Sequence, residues 1–355
     1  MVSLNTNIIN FDKKYTGAIV GILNAFFAGS PSVFAALYYN VFTHGDKTDT
    51  KNQDFAGFML LFAISFAVVD LFCIVCMRNY KDDTPAFAQF ENDEGGVNAK
   101  KSDIDHTDEV EKINNGSSSI NSETNPHTSD GPEHPYSKTQ MSLKQILLNL
   151  DFQLLIWSIS FASAIGLVYA NNITLISKSV GLNTHDGTLT IIVPIANAII
   201  SSAIGIFSDY FKARIPRFWI LFSSYVFFTA SQVLVLLFAT SYGMLILSLI
   251  LLAFGISIIW TISPTLINEW FHPGNLGRNW GIGILLAALI GAGMQEAFGA
   301  LYDHVSSGSG INVHCEGMKC IRGGTALVIA GGGTSIVLAI VLLVKQKRTS
   351  LQSIS

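Results

Sequence analysis

Several polar and ionisable side chains lie inside long apolar segments of this sequence, of the kind that cross membranes. They are Asp70, Asn171, Asn172, Asn197, Gln232, Gln295 and Glu296. Such groups are costly in a bilayer, so each is a candidate for function. A carboxylate at that depth can carry a coupling proton, and a carboxamide can hydrogen bond a solute. Each also has a structural interpretation, because polar side chains join helices across a membrane.

The two carboxylates differ in their settings. Asp70 is a candidate either for helix packing near Arg78 or for proton coupling. Glu296 and its neighbour Gln295 are flanked by glycines, which favour close helix packing. These two residues are therefore candidates for an interhelical contact and for solute contact alike, and Glu296 is the leading candidate for proton coupling.

The asparagines are candidates for solute binding. Asn171 and Asn172 are expected either to end the third apolar segment or to line a pore. Asn197 is expected near the middle of the fourth segment, the depth at which transporter sites usually lie. Pro194, three residues earlier, frees a backbone carbonyl that could face a cavity.

Aromatic and sulfur side chains complete the set of candidates. Trp157 and Trp260 could stack on a solute, or they could pack and anchor helices as membrane tryptophans often do. Cys315 and Cys320 fall in the last loop expected outside the cytoplasm, where a disulfide can form or two free thiols can persist. The histidines and cysteines show no metal-ligand spacing, and no nucleophile or phosphate-binding motif has a usable context. We therefore expect no enzyme, metal or cofactor.

A short loop between the fourth and fifth apolar segments carries Gly205, Asp209 and the basic residues Lys212, Arg214 and Arg217. An acid at a helix end and bases on a tight turn can pair with a neighbouring helix in one state and release it in another. Gly205 would allow two helices to approach closely. These residues are therefore a candidate gating latch. Alternatively, the basic residues only anchor the loop on the cytoplasmic side.

The composition indicates a membrane protein. Half of the 355 residues are hydrophobic (50%) and only 13% are charged, against about 25% in soluble domains. The net charge of -4 gives no reason to expect a nucleic-acid partner. Runs of about 20 apolar residues predict transmembrane helices. Eight such runs lie at 16–42, 55–77, 148–171, 187–207, 216–239, 241–264, 279–301 and 322–344.

The loops predict the topology. Lysine and arginine are more frequent in the short loops of one side, which places both termini in the cytoplasm. Residues 82–142 are rich in Asp, Glu, Ser, Asn, Lys, Gly and Pro and are too polar to form a core. We expect them to be a disordered tether, with a phosphorylated regulatory loop as the alternative.

An internal repeat relates the first and seventh runs. Residues 21–23 and 283–285 both read Gly-Ile-Leu, and 34–38 (Phe-Ala-Ala-Leu-Tyr) matches 298–302 (Phe-Gly-Ala-Leu-Tyr). The two runs lie six helices apart and share one orientation. Two six-helix halves related by an axis along the membrane normal are the plan of the major facilitator superfamily.

Other segments resemble the same superfamily. The loop at 205–217 is similar to its cytoplasmic loop signature, a glycine followed by an aspartate and basic residues. The chain further resembles the nodulin-like branch and the fungal monocarboxylate-transporter-like proteins at 10–17, 166–172, 264–271, 301–303 and 315–320.

The resemblance implies an all-α, polytopic fold in which this chain begins at the fifth of twelve helices. Its expected parts are 1–80, a two-helix remnant of the N-terminal half; 81–145, the disordered central loop; 146–345, the complete six-helix C-terminal half; and 346–355, a cytoplasmic tail.

The resemblance also implies a function. We expect a multi-pass carrier of a plasma or organelle membrane that moves a small solute, such as an organic anion, by alternating access, with a proton as a candidate coupling ion. The partners would be the solute, the lipid bilayer and, if the chain is complete, a second copy of the chain. The alternative is a receptor or scaffold without transport activity that binds partners through residues 82–142.

Overall fold

The computed structural model describes residues 2–42, 54–76, 141–182, 186–307 and 315–352. The described residues of 1–78 and 133–355 form one compact unit. The second unit, 79–132, lies outside the described residues, as does most of the predicted central loop at 81–145. The end of that predicted loop differs from expectation, because a helix already begins at Leu143.

All the regular structure in the described residues is helical. The α-helices are α1 (Val2–Asn10), α2 (Thr16–Leu37), α3 (Phe55–Cys76), α4 (Leu143–Leu148), α5 (Leu150–Ser179), α6 (Asp186–Tyr210), α7 (Arg217–Phe238), α8 (Tyr242–Trp270), α9 (Leu276–Ser307) and α10 (Met318–Gln352). Short 3-10 helices, Lys13–Tyr15 and Pro273–Asn275, precede α2 and α9, and a π-helix, Tyr38–Phe42, follows α2.

Eight of these helices, namely α2, α3 and α5 to α10, are long and apolar enough to cross a membrane. The prediction of an all-α polytopic protein with about eight spans is therefore confirmed. An α-helix suits this setting because it satisfies its own backbone hydrogen bonds where no water is present.

Local sequence signals set the start of the six-helix segment. The Ser142 hydroxyl accepts from the backbone N–H of Gln145, whose side chain accepts from the Ser142 N–H, and this capping box begins α4. Seven residues later the Asn149 side chain accepts from the Phe152 N–H at 3.0 Å and caps α5. Two polar side chains thereby separate a short helix from the first long span of the segment.

Helices α5 to α10 form a bundle with α5 and α8 as its most buried members. Helix α5 packs against α9 and α10, and α8 packs against α6 and α7. Phe228 of α7 fills the space left by two glycines, since a Cβ on Gly166 or Gly255 would lie 3.1 or 3.0 Å from its ring. The large buried side chains Tyr169 and Tyr225 donate to or accept from serine hydroxyls of neighbouring helices.

Helices α2 and α6 pack at backbone contact. A Cβ added to Gly21 would lie 2.5 Å from the Ser201 carbonyl oxygen, and one added to Gly205 would lie 2.4 Å from the Gly17 carbonyl oxygen. Small residues therefore let the helix before the central loop lie directly against the helices after it. Gly205 has the packing role expected from the sequence.

Helix α3 is exposed along its membrane-spanning length. It meets the end of α2 through aromatic rings: Phe62 lies against Phe34 at 4.4 Å between ring centroids, and Phe58 lies against Tyr38 at 4.8 Å. Asp70 is exposed on this helix, and its suggested neighbour Arg78 lies outside the described residues.

The third span is longer than predicted. The apolar run predicts an end at residue 171, next to Asn171 and Asn172, but α5 continues for two more turns to Ser179. The reason is local, because apolar residues continue after the asparagines and the Asn172 side chain donates to the Val168 carbonyl within the same helix at 2.7 Å. The interpretation of the two asparagines as helix terminators is therefore wrong.

The close packing of α2 and α6 predicts that an added side-chain atom at this contact lowers stability. Replacing Gly21 with Ala puts a Cβ 2.5 Å from the Ser201 carbonyl oxygen and forces the helices apart. Overpacking of this kind costs about 1–3 kcal/mol. We expect a lower thermal-unfolding midpoint for the purified chain, measured by tryptophan fluorescence in detergent.

The matched control is Gly281→Ala, where an added Cβ meets nothing within 4 Å. Equal midpoints for the two variants would contradict backbone contact between α2 and α6.

Candidate functional site

One end of the helix bundle carries a cluster of charged side chains, called here the charge cluster: Asp209, Lys212, Arg217 and Glu269. Asp209 lies in the last turn of α6, Arg217 begins α7, and Glu269 lies in the last turn of α8. We call this end the charged end. A tight turn brings Asp209 and Arg217 together, because the N–H of Ile215 bonds to the carbonyl of Phe211 at 2.8 Å just before Pro216, the N-cap of α7.

Arg217 is the centre of the charge cluster. Its guanidinium donates to Asp209, to Glu269 Oε1 at 2.5 Å, and to the Ser208 hydroxyl from Nε at 2.8 Å. The residue is only 3% exposed. A buried guanidinium is tolerated only when it is paired and hydrogen bonded, so this one side chain holds the ends of three helices together.

Asp209 extends the charge cluster to a fourth helix. Its carboxylate accepts from the backbone N–H of Gly17 at 3.0 Å and of Ala18 at 2.7 Å, in the first turn of α2. These amides have no partner within their own helix, and the helix dipole favours a negative charge there. One carboxylate therefore joins α2 to the helices that follow the central loop.

Lys212 completes the charge balance. Its ammonium lies 2.7 Å from Glu269 Oε1 and is about half exposed, with 51% of its side-chain surface accessible. The cluster thus contains two acids and two bases. Because Lys212 faces solvent, its ion pair contributes less than the buried pairs of Arg217.

The residues of the predicted latch differ in the contacts that they make. Gly205 and Asp209 contact α2, Arg217 bonds to Asp209, and Lys212 pairs with Glu269 of α8. The Arg214 side chain is exposed and forms no hydrogen bond or ion pair with another described residue. Its inclusion in the predicted latch finds no support in these contacts, because the turn directs it to solvent.

Glu269 is the member of the charge cluster that sequence reasoning did not assign. The sequence nevertheless contains an indication of its role, because Glu269 is an acid at the end of a span. When the spans are counted in alternation, that end lies on the same side of the membrane as Lys212 and Arg217. The count alone did not say which helix end would be adjacent to which.

A second polar contact joins α2, α6 and α8 in the middle of their lengths, and we call it the polar chain. Asn24 Nδ2 donates to the Ser201 hydroxyl at 2.8 Å, and Ser201 donates to Asn197 Oδ1 at 2.9 Å. The Ser257 hydroxyl donates to the same oxygen at 2.7 Å. Asn197, a predicted solute-binding residue, is therefore the hub of this chain.

Helix α8 carries a further buried polar residue near the polar chain. Thr261 lies one turn beyond Ser257, so the two side chains share one face of the helix. The Thr261 hydroxyl is buried and has no hydrogen-bond partner among the described residues. Buried polar atoms without a protein partner are places where water or a solute group binds.

A pair of carboxamides joins α5 and α9. Asn172 Nδ2 donates to Gln295 Oε1 at 2.9 Å, and Gln295 Nε2 donates back to Asn172 Oδ1 at 3.2 Å. Asn171 and Glu296, their chain neighbours, are exposed. The structure therefore brings one predicted residue from each helix into contact and leaves the adjacent asparagine and carboxylate accessible.

The remaining predicted residues lie apart from these contacts. Trp157 is partly exposed and donates to Gln153 Oε1 at 3.1 Å, while Trp260 packs edge-on against Trp280 with ring centroids 5.7 Å apart. Gln232 is buried on α7 and donates to its neighbour Ser231. The tryptophans thus pack or hydrogen bond within the protein.

Cys315 and Cys320 are joined by a disulfide at the start of α10. The loop that they close includes Gly317, which has a φ of 95° and donates to the Ser179 carbonyl at the end of α5, at 2.7 Å. The described residues hold no group of His, Cys, Asp and Glu suited to a metal ion.

Comparison with models of protein families and with curated proteins finds no match for this chain.

The buried position of Arg217 predicts that removal of its charge lowers the free energy of unfolding. Arg217→Leu leaves the carboxylates of Asp209 and Glu269 without their buried counter-charge, and breaking a buried ion pair costs about 3–5 kcal/mol. We expect a loss of this size in the free energy of unfolding, measured by denaturant titration in mixed micelles.

Arg214→Leu is the control, because it removes the same charge from an exposed position in the same turn. We expect it to change the free energy of unfolding by about 0.5 kcal/mol or less. Equal losses for the two variants would show that the buried ion pairs are not what holds these helices.

The amide pair predicts a measurable coupling between α5 and α9. Alanine at Asn172, at Gln295 and at both positions completes a double-mutant cycle. Hydrogen bonds between membrane helices average about 0.6 kcal/mol and reach about 1.7 kcal/mol, and two reciprocal bonds place this pair in the upper part of that range. Additive losses for the two single variants would exclude the pair as a stabilising contact.

Proposed function

We propose that this chain is a secondary-active transporter of a small solute that works by alternating access. The observation that carries the proposal is the contact between the charge cluster and the first turn of α2. A carrier must seal one end of its solute path in one state and open it in the next. The charge cluster joins helices on both sides of the central loop at one membrane end, which is the place for such a seal.

The chemistry of the charge cluster suits a reversible contact. Asp209 is held by Arg217 and by the amides of Gly17 and Ala18. Each of these groups is well solvated when water reaches it, so separation replaces protein contacts with hydration at a modest net change in free energy. Separation of α2 from α6 would then open the charged end.

The internal repeat supports the carrier architecture. One order of elements occurs twice: a helix, a short 3-10 helix and a long helix. It is formed by α1, Lys13–Tyr15 and α2, and again by α8, Pro273–Asn275 and α9. The sequence match between α2 and α9 therefore extends to the elements that precede them. Repeated halves of this kind are the plan of the major facilitator superfamily, to which we propose that the chain belongs.

The polar chain is the proposed solute site. Its residues lie at mid-helix, where transporter sites usually form, and Thr261 adds a buried hydroxyl without a partner among the described residues. Asn197 Nδ2 makes no hydrogen bond to any described residue, so it remains able to donate to an anionic or carbonyl oxygen of a solute. A small organic anion fits these donors, and the exposed Glu296 is the proposed proton-coupling residue.

Transport assays test the proposal. Full-length chain reconstituted into proteoliposomes should take up labelled small organic anions, and Asp209→Ala should abolish uptake because α2 loses its carboxylate cap. Arg214→Ala, which changes an exposed side chain of the same turn, should retain wild-type uptake.

Two outcomes would contradict the proposal. An Asp209→Ala variant with wild-type uptake would exclude the charge cluster as a gate. No uptake of any tested solute by a folded wild-type chain would exclude transport and favour the receptor or scaffold alternative.

A further inference from the structure

A cleft opens at the charged end between α4 and the beginning of α9. It is a shallow surface feature and encloses no space large enough for a water molecule. Apolar side chains of Met141, Ile146 and Phe271 form its walls, and the polar side chains of His272, Asn275 and Arg278 also line it. This cleft is separate from the charge cluster, whose residues do not line it.

Arg278 brings a positive charge to the cleft that no described carboxylate balances. Its guanidinium donates to the Met141 carbonyl at 2.8 Å and to Asn279 Oδ1 at 3.3 Å, and both acceptors are neutral. It forms no ion pair with any described residue. Arginine in a partly buried setting normally binds a carboxylate or a phosphate, for which its planar fork is suited.

Two other polar side chains of the cleft can also donate, while the Asn279 carboxamide oxygen already accepts from Arg278. The Nδ1 atom of His272 accepts from the Gly274 N–H at 3.2 Å, which places the ring proton of the neutral imidazole on Nε2. Asn275 adds a side-chain amide. No acidic residue lines the cleft. The group that would complete it is therefore an anion with several acceptor oxygens.

Helix α4 places the cleft at the membrane surface. Leu143, Leu147 and Leu148 are 50%, 42% and 74% exposed, while Ile146 of the same helix is buried beside the cleft. Exposed leucines at the end of a membrane-spanning bundle are stable when they contact lipid acyl chains. Lys144, on the same short helix, is exposed and forms no ion pair with a described residue.

We propose that this cleft binds the headgroup of an anionic phospholipid. The lipid phosphate accepts hydrogen bonds from Arg278, with Lys144 as a second positive charge, and the acyl chains lie along the exposed leucines of α4. A lipid is favoured over free phosphate because the apolar walls and the leucines continue from the cation toward the bilayer.

Lipid retention tests this assignment without any transport measurement. The full chain is incubated in mixed micelles with equal amounts of phosphatidylserine and phosphatidylcholine, separated by gel filtration, and its retained lipids are quantified by mass spectrometry. We expect the wild type to be enriched in phosphatidylserine. Arg278→Gln should lower that enrichment about fivefold, as expected for the loss of one basic contact with an anionic lipid.

Two control variants separate the cleft from general surface charge. Arg278→Lys keeps the charge and should keep most of the enrichment. Arg214→Gln removes an exposed arginine from the charged end outside the cleft and should leave the enrichment unchanged. No phosphatidylserine preference in the wild type, or equal losses for Arg278→Gln and Arg214→Gln, would overturn the proposal.

A competition experiment distinguishes the source of the phosphate. Excess inorganic phosphate should not displace the retained phosphatidylserine, and complete displacement would overturn the lipid assignment in favour of a free anion. If Arg278→Gln does not fold, Lys144→Gln provides the test, because that side chain is exposed. A fall in enrichment then supports the site, and wild-type enrichment overturns it.

Discussion

The burial of Arg217 is the constraint on which the charged end depends. A guanidinium that is almost fully removed from water must be surrounded by acceptors, and here these come from Ser208, Asp209 and Glu269. Three helix ends are therefore required to meet at one point. Asp209 has further acceptor capacity, which the first amides of α2 use, so the same constraint also positions a helix that precedes the central loop.

The contact of Asp209 with the first turn of α2 is possible only because the backbones of α2 and α6 pack closely. A carboxylate is short, and it reaches the amides of Gly17 and Ala18 only because Gly17, Gly21 and Gly205 let α2 and α6 touch. In a bilayer the hydrophobic effect does not drive helices together, so small residues and hydrogen bonds supply the attraction. The polar chain at mid-helix continues the same interface. Helix α3, by contrast, has few buried contacts and faces outward along its length.

The polar groups of this protein thus divide by depth. Charges gather at the charged end, where the charge cluster closes one junction of helices and Arg278 lies in a separate cleft. In the middle and the opposite half, the contacts between helices use carboxamides and hydroxyls, in the polar chain and in the Asn172–Gln295 pair, while the carboxylate of Glu296 is exposed. This division follows from the cost of charge in the bilayer, which is greatest at its centre.

The sequence by itself determined the class of the protein and the number of its spans, because hydropathy and helix length are local properties. It also assigned Asp209 and Arg217 to one candidate latch on a short loop. Only the tertiary structure decided that Glu269 completes the charge cluster, that Arg214 faces solvent, and that Asn172 contacts Gln295 within a longer helix. These outcomes depend on which helix ends meet and on how each helix is rotated about its axis. Neither the pairing nor the rotation can be deduced from apolar spans of similar composition.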